Sequence, residues 1–306
     1  MKVLIVGLGS IAKKHIIALK SLYSEATIFA LRSNINAEKV ENVTNIYDLD
    51  TIDFDFAIIS NPTQLHHHFI DILADKNINM MIEKPPLSSL ENIDVLVKKI
   101  ESKNLVTYVA CNLRFHPCLI FIKDFLSKNQ SKIINEVNIY CGSHLPDWRP
   151  NTDFRQVYSA IPEMGGGVHL DLFHELDYTH WLFGKPKKVT STKKNVSSLK
   201  IQAIDYANYV FEYPNFTANI VLNYYRKDAK RTIEIVFEDQ TITVDLIKNI
   251  ITNQLGEVIF EATNFTIIET YVEQMQYFVN SLKVNQKQMN TFADSMEVLK
   301  TCLNDE

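Results

Sequence analysis

The sequence is poor in glycine and cysteine and has no long apolar run. It holds 8 glycines and 4 cysteines in 306 residues. Cys111, Cys118, Cys141 and Cys302 are scattered without the paired spacing of a metal centre, which predicts free thiols in a reducing cytoplasm and no bound metal. No apolar run approaches the roughly 20 residues that span a bilayer, so we expect a cytoplasmic protein with no membrane partner.

A strong charge of either sign is absent as well. The formal net charge is −5 at pH 7, which argues against a dedicated nucleic-acid surface and predicts no nucleic-acid partner. The run His66-His67-His68 is the densest group of metal-type side chains. Successive residues of a helix point about 100° apart, so these three cannot all face one ion, and the run predicts no metal site.

The apolar residues follow two periodicities. Up to residue 110, short apolar strands alternate with helical stripes, which predicts a parallel sheet with helices on both faces. Residues 133–141 and most of 187–262 alternate apolar with polar side chains, which predicts a large, mostly antiparallel open sheet with helices on one face. The predicted fold class is therefore α/β followed by α+β. The strands predicted in the first part are 2–6, 27–31, 54–59, 79–82 and 105–110, with helix caps at Thr63 and at Ser88 or Ser89.

Five of the eight glycines lie in two short stretches. The first, Gly7-Leu8-Gly9-Ser10-Ile11-Ala12, follows an apolar strand and opens a helix, as in the dinucleotide-binding fingerprint. Gly7 allows the tight turn, Gly9 lets a pyrophosphate approach the backbone, and the helix N-terminus at Ser10 and Ile11 offers free N–H groups. The alternative is an ordinary strand–helix turn.

The residues after the second predicted strand indicate whether the dinucleotide is NAD or NADP. An NAD-binding protein usually has a carboxylate there for the ribose hydroxyls, whereas this chain has Arg32 and Ser33. A guanidinium and a hydroxyl suit a 2′-phosphate, so the sequence favours NADP over NAD. The alternative is that Arg32 is a solvated surface residue.

Lys84 follows the strand predicted at 79–82. Ligands of open α/β sheets bind at the carboxyl ends of strands, and oxidation of an alcohol needs a group that takes the hydroxyl proton. Lys84 is therefore a candidate for that group, and Pro85 would fix the backbone through a cis bond. The alternative is simply the end of a strand.

Five motifs occur in order along the chain. They are Gly7-Leu8-Gly9-Ser10-Ile11-Ala12-Lys13-Lys14-His15, Ser60-Asn61-Pro62 with His66, Glu83-Lys84-Pro85, Asn112-Leu113-Arg114-Phe115-His116-Pro117, and Gly165 to Asp177. Together they resemble the glucose–fructose oxidoreductase / inositol dehydrogenase / rhizopine catabolism (Gfo/Idh/MocA) family over the whole chain. The resemblance implies an NAD(P)-binding Rossmann domain at 1–117, on which a closing helix at 290–306 packs. It also implies a substrate-binding and oligomerisation domain at 118–289.

The resemblance also implies roles for individual residues. Lys84 would be the catalytic lysine, with Asp171 and His174 as its partners, and Asn112 would belong to the substrate site. Ser60, Asn61, Pro62, His66 and Glu83 would lie along the cofactor. The family spaces that aspartate and histidine four residues apart, and this chain has three. Both spacings keep one helix face, although Asp177 competes with Asp171 for the role.

The shorter spacing is similar to that of family members in surface-carbohydrate pathways, which narrows the expected substrate to an amino sugar, a nonulosonic-acid precursor or a nucleotide-activated sugar. The segment before the second glycine stretch contains Trp148, Arg149 and Arg155. Trp148 could stack on a sugar face, and either arginine could bind a carboxylate or phosphate. His169 could also face the substrate. The alternatives are a loop held by surface salt links and a hydrogen-bonded core histidine.

The sequence therefore predicts an NADP- or NAD-dependent dehydrogenase that moves a hydride between the nicotinamide and a carbinol or carbonyl carbon of a sugar-like substrate. Two other classes stay open: a non-catalytic dinucleotide-binding redox sensor, and a methyltransferase with a similar glycine turn. The open face of the antiparallel sheet predicts a homodimer or homotetramer.

Overall fold

The computed structural model describes residues 1–37, 39–50, 52–284 and 288–304. They form two compact units: Met1–Asn112 with Thr266–Leu299, and Leu113–Phe265 with the residues from Lys300 onward. The chain thus leaves the first unit after residue 112 and returns to it at residue 266. The domain bounds that the family resemblance implies, 1–117 and 118–289, stay a prediction.

Regular elements cover most of the described residues. The strands are β1 Lys2–Val6, β2 Thr27–Leu31, β3 Val43–Ile46, β4 Phe56–Ile59, β5 Met80–Ile82, β6 Thr107–Val109, β7 Ile134–Gly142, β8 Lys188–Lys194, β9 Tyr206–Glu212, β10 Thr217–Asn223, β11 Lys230–Phe237, β12 Thr241–Asp245, β13 Ile250–Asn253 and β14 Val258–Glu261. The helices are α1 Ser10–Leu22, α2 His66–Asp75, α3 Ile93–Ser102, α4 Pro117–Lys128, α5 Val168–Asp171, α6 Phe173–Phe183, α7 Ile267–Val284 and α8 Phe292–Leu303.

The first unit contains a parallel sheet in the order β3-β2-β1-β4-β5-β6. Its central strands are apolar throughout, and β1 from Val3, β4 and β5 are buried, as expected for a sheet covered on both faces. The strand order reverses at β1, which lies between β2 and β4. The edge strand β3 was not predicted, because its sequence Val-Thr-Asn-Ile is short and half polar.

Helix α7 packs on this sheet. The Phe278 ring meets the Phe56 ring edge to face, with centroids 5.2 Å apart, and Gln276 donates to the Tyr23 hydroxyl at 3.0 Å. Farther along, the backbone carbonyl of Asn290 accepts the N–H of Val109. The apolar stripe of α7 is therefore buried within the first unit, which is why that unit takes residues 266–299.

The second unit contains an eight-stranded sheet in the order β14-β13-β12-β11-β7-β10-β9-β8. All its neighbours are antiparallel except the central pair β7 and β10, which is parallel. Strands β9 and β12 alternate buried with half-buried side chains, so one face is covered and the other is partly open. The predicted fold class is confirmed.

Three local predictions are wrong. Thr63 does not cap α2, because a 3-10 turn over Thr63–Leu65 precedes that helix. Ser88 and Ser89 do not cap α3, which begins only at Ile93 after a left-handed Asn92. The helix expected through the second glycine-led segment is broken at Leu172, so Asp171 ends α5 and His174 belongs to α6.

Among the described residues, no helix combines the length and apolar character needed to cross a bilayer.

Candidate active site

Three chain segments meet at the carboxyl edge of the parallel sheet. Strands β1, β4 and β5 are direct neighbours, and each ends at that edge. The residues that follow them are Gly7–Gly9, Ser60–Asn61 and Glu83–Lys84. The strand order therefore brings three of the predicted motifs to the carboxyl edge of the sheet, which is where open α/β sheets bind ligands.

The Gly7 turn is held against the end of β4. Gly7 has a φ of +87°, and a Cβ there would lie 2.4 Å from the Asn61 Cα. The Ser60 hydroxyl donates to the Gly7 carbonyl at 2.8 Å. Only glycine fits this close approach, because both the left-handed backbone and the contact exclude a side chain.

The start of α1 is open toward the same region. Gly9 is its N-cap, a Cβ at Gly9 would have no neighbour within 4 Å among the described residues, and no side chain caps the helix. Nearby, both polar atoms of the Asn61 side chain are buried, with no hydrogen-bond partner in the described part of the chain. Uncapped N–H groups, free space at Gly9 and an orphaned amide fit a dinucleotide. Ser10 is exposed, Ile11 is half-buried, and Pro62 precedes the 3-10 turn.

Arg32 directly follows β2 and is half-buried, and its neighbour Ser33 is exposed. The Arg32 backbone N–H bonds the Ile46 carbonyl at 2.9 Å. Its Nη1 is buried and has no hydrogen-bond partner among the described residues. A buried guanidinium nitrogen without a hydrogen-bond acceptor is suited to bind an anion such as a 2′-phosphate.

A buried contact fixes the strand end that carries Lys84. The His15 Nε2 lies 2.5 Å from the Glu83 Oε1, and the other Glu83 oxygen accepts the Lys84 backbone N–H at 3.2 Å. His15 is fully buried, and Glu83 is 7% exposed. The Lys84–Pro85 peptide bond is cis, which confirms the expectation for Pro85. Lys84 itself is half-buried.

His66 ties together the two loops that follow β4 and β5. Its Nε2 lies 2.9 Å from the Asn61 carbonyl oxygen, and its Nδ1 lies 3.1 Å from the Pro86 carbonyl oxygen. Desolvation by burial lowers the pKa of His66. His66 is therefore a structural link between Asn61 and the segment after Lys84.

In the second unit, Asp171 is held by two tyrosines. The Tyr224 hydroxyl donates to the Asp171 Oδ2 at 2.5 Å, and the Tyr158 hydroxyl also bonds this carboxylate. Burial, and then the negative charge of Asp171, raises the pKa of both tyrosines, so both keep the protons that they donate.

Asp177 has a different partner. Arg114 donates to it from Nε at 2.9 Å and from Nη2 at 2.7 Å, and both residues are buried. This paired contact uses both Asp177 oxygens. Asp177 is therefore held by an arginine, whereas the contacts described above join Asp171 to two tyrosine hydroxyls.

The second glycine stretch, before α5, passes so close to neighbouring backbone that a side chain would not fit at Gly166. A Cβ at Gly166 would lie 2.2 Å from the Tyr158 carbonyl oxygen, and Gly165 and Gly167 have φ values of +84° and +131°. His169 lies against Gly167 and is 6% exposed, while His174 is 9% exposed.

Three further substrate candidates have defined contacts. Asn112 donates to the Thr270 hydroxyl at 2.6 Å within the first unit. Arg155 is exposed, and its Nη1 lies 3.6 Å from the Asp153 carboxylate. The Arg149 guanidinium lies 5.4 Å from the centre of the Tyr158 ring, which places it beside the Asp171 cluster.

Sequence reasoning missed the residues that position the others. His15, Arg114 and Tyr224 were not given positioning roles, because each meets a partner 53 or more residues away along the chain. Tyr158 lies nearer to Asp171, in a segment without clear periodicity. The local signals were that His15 ends the first motif and that Arg114 lies in the fourth. No group of three or more His, Cys, Asp or Glu side chains in the described ranges could hold a metal ion.

Comparison with protein families gives matches over both parts of the chain. Residues 1–111 match the model of an oxidoreductase family with an NAD-binding Rossmann fold. Residues 131–243 match the model of the GFO/IDH/MocA C-terminal domain.

Individual relatives are distant in sequence. The scyllo-inositol 2-dehydrogenase (NADP(+)) IolW of Bacillus subtilis (strain 168) is 22% identical over 220 residues, which are 69% of this chain. The alignments span 58% and 35% of the lengths of the two curated relatives matched.

Solved structures share the fold over nearly the full chain. Levoglucosan dehydrogenase in complex with NADH has a TM-score of 0.84 at 16% identity, covering 99% of this chain and 95% of that one. The UDP-N-acetylglucosamine 3-dehydrogenase GnnA from Acidithiobacillus ferrooxidans has a TM-score of 0.79 at 18% identity, covering 100% and 96%.

Proposed function

Because the chain belongs to the Gfo/Idh/MocA oxidoreductase family, we propose that it is a dehydrogenase or reductase acting on a carbinol or carbonyl carbon of a sugar-like substrate. The substrate class follows the relatives, whose names give inositol, levoglucosan and a nucleotide sugar as substrates. NADP is the preferred cofactor, with NAD as the alternative.

The cofactor would be held by the carboxyl edge of the parallel sheet. The α1 N-terminus with Gly7 and Gly9 would take the pyrophosphate, and the orphaned Asn61 amide would bind a polar group along the dinucleotide. Arg32 and Ser33 would bind the 2′-phosphate, which is the basis for preferring NADP. When bound, the nicotinamide accepts or supplies the hydride.

The chain's own residues would move the proton. In the oxidative direction the Lys84 amine would take the proton of the substrate hydroxyl, and in the reductive direction the Lys84 ammonium would return that proton to the oxygen. His174 would hydrogen-bond that oxygen, and Asp171, fixed by Tyr158 and Tyr224, would accept a hydrogen bond from the substrate. His15 would act through Glu83 to hold the backbone of Lys84.

One observation supports this proposal most. Strands β1, β4 and β5 are neighbours, so the glycine turn, Asn61 and Lys84 follow three adjacent strands at a single edge. The residues that we propose for the dinucleotide and for the proton transfer thus follow strands of one unit, which supports the proposal. A regulator that only senses dinucleotides has no need of the lysine.

Replacing Lys84 with methionine tests the proposal. The variant keeps the aliphatic stem and loses the amine, so we expect kcat to fall about 10²- to 10⁴-fold. Fluorescence titrations should show unchanged NADPH binding, and NADPH should bind more tightly than NADH. Turnover is measured with myo-inositol, levoglucosan and UDP-N-acetylglucosamine.

Lys98→Met is the matched control, since Lys98 is an exposed lysine of α3 in the same unit. It should behave as wild type. A kcat of Lys84→Met equal to that of wild type would show that Lys84 does not transfer the proton. NADPH binding without turnover of any sugar by wild type would favour the dinucleotide sensor, and no NADPH binding at all would contradict the cofactor site.

A further inference from the structure

Two exposed residues stand next to the aspartate that we assign to the reaction. Trp148 meets the Tyr224 ring edge to face, with centroids 5.4 Å apart, and Arg149 stacks on the Tyr158 ring at 5.4 Å. These are the two tyrosines that bond Asp171. One tyrosine side chain therefore separates each of these surface residues from the Asp171 carboxylate.

Trp148 is fixed although it is 38% exposed. Its indole Nε1 donates to the Ser143 hydroxyl at 2.8 Å, and its ring rests on Tyr224. An indole held this way presents an apolar face at little further entropic cost, which suits contact with the C–H face of a sugar ring.

The Arg149 guanidinium differs from the other charged groups of this segment, because it forms no ion pair with a carboxylate of the described residues. Its neighbour Asp147 lies 3.0 Å from His144, and Arg155 is paired with Asp153. Among the described residues, no carboxylate is within salt-bridge distance of Arg149. The guanidinium is placed by its stacking on Tyr158, which leaves its paired N–H donors available for an oxyanion.

On the basis of the proposed function, we propose that Arg149, with Trp148 beside it, is the specificity-determining subsite for an anionic group on the sugar. The group is a carboxylate or phosphate oxyanion attached to the substrate ring. Its carbinol carbon would lie at Asp171, the ring against Trp148, and the oxyanion on the Arg149 fork. Sugars that carry such a group would bind in preference to their neutral parents.

The test compares neutral sugars with anionic derivatives in three pairs. The pairs are glucose with glucuronate, glucose with glucose 6-phosphate, and N-acetylglucosamine with UDP-N-acetylglucosamine. Calorimetry in the presence of NADP⁺ measures the dissociation constants, and kcat/KM is measured wherever turnover occurs. The first pair tests a carboxylate at C6, the second tests a phosphate at C6, and the third tests a diphosphate at C1.

We expect at least one anionic member to bind about tenfold more tightly than its neutral parent, as a charge-assisted contact predicts. Arg149→Gln should remove that preference, and added salt should weaken it because the site is exposed. Arg226→Gln is the matched control: that guanidinium also stacks on a tyrosine, 5.0 Å from the Tyr140 ring, but its charge is paired with Asp228. Arg226→Gln should keep the preference.

Equal binding of charged and neutral sugars by wild type would overturn the subsite, as would a preference that survives in Arg149→Gln. Failure of the proposed function gives a different result. In that case wild type turns over no sugar, while the binding comparison still decides whether Arg149 recognises the anion.

Discussion

At the scale of single residues, His116 makes one contact that acid removes. Its Nδ1 accepts the Cys118 N–H at 3.2 Å and caps α4, while its Nε2 donates to the Asn249 side-chain oxygen at 3.1 Å. The cap needs the neutral ring, because a proton on Nδ1 removes the lone pair that accepts the Cys118 N–H, whereas the bond from Nε2 survives protonation. Desolvation lowers the pKa of His116 from 6.5 to about 4.

This shift predicts loss of stability in acid. The unfolded chain takes up the proton first, so the contribution of His116 is complete above about pH 6.5 and is lost as the pH falls toward about 4. Between about pH 7 and pH 5, the free energy of unfolding should drop by about 2 kcal/mol through this group. Burial lowers the pKa of His66 as well, which acts in the same direction.

Guanidinium chloride unfolding of wild type and His116→Asn at both pH values measures the effect. Asparagine is a good N-cap that does not titrate in this range, so the variant should lose less stability on acidification. An equal drop in the two proteins would show that His116 does not titrate on unfolding.

At the scale of elements, the two glycine turns serve different purposes. Gly166 lets its turn pass against the Tyr158 carbonyl, whereas Gly9 faces open space at the start of α1. We therefore expect Gly166→Ala to lower the free energy of unfolding by about 1–3 kcal/mol or more, because the added methyl group collides with backbone.

Gly9→Ala should keep the melting temperature of wild type and weaken NADPH binding, since its methyl group would occupy the space that we assign to the pyrophosphate. Thermal melts and fluorescence titrations on both variants separate the two roles. Normal NADPH affinity in Gly9→Ala would place the cofactor elsewhere.

Elements also show what sequence reasoning can reach. The bounds of β1 and β2, the position of Lys84 at a strand end and the cis bond at Pro85 were predictable, because local apolar runs, glycine and proline determine them. The contact of His15 with Glu83 and the bonds of Tyr158 and Tyr224 to Asp171 were not. His15 and Tyr224 lie 68 and 53 residues from their partners, and Tyr158 lies in an irregular segment. Periodicity carries no information on which of these side chains will meet.

At the scale of the whole molecule, the half-open face of the eight-stranded sheet bears on assembly. It carries apolar side chains such as Val210 and Val221, which are half-buried in the single chain. We expect this face to be covered by a second copy, as proposed from the sequence, because contiguous apolar surface on a sheet favours association.

Val210→Glu should then shift the mass in light scattering toward the monomer, because an unpaired charge is costly in an interface. Ile247→Glu, in the turn after β12 where Ile247 is 52% exposed, should keep the mass of wild type. A monomeric wild-type protein, or a Val210→Glu variant of unchanged mass, would rule out this face.

The route of the chain through its two units has a consequence for biosynthesis. Helix α7 completes the nucleotide-binding half, yet the ribosome makes it only after every strand of the other half. The surface of the amino-terminal sheet that α7 later covers therefore stays exposed during translation, until some 150 further residues have been synthesised. A chaperone that binds this exposed surface during translation would protect the sheet until α7 is made.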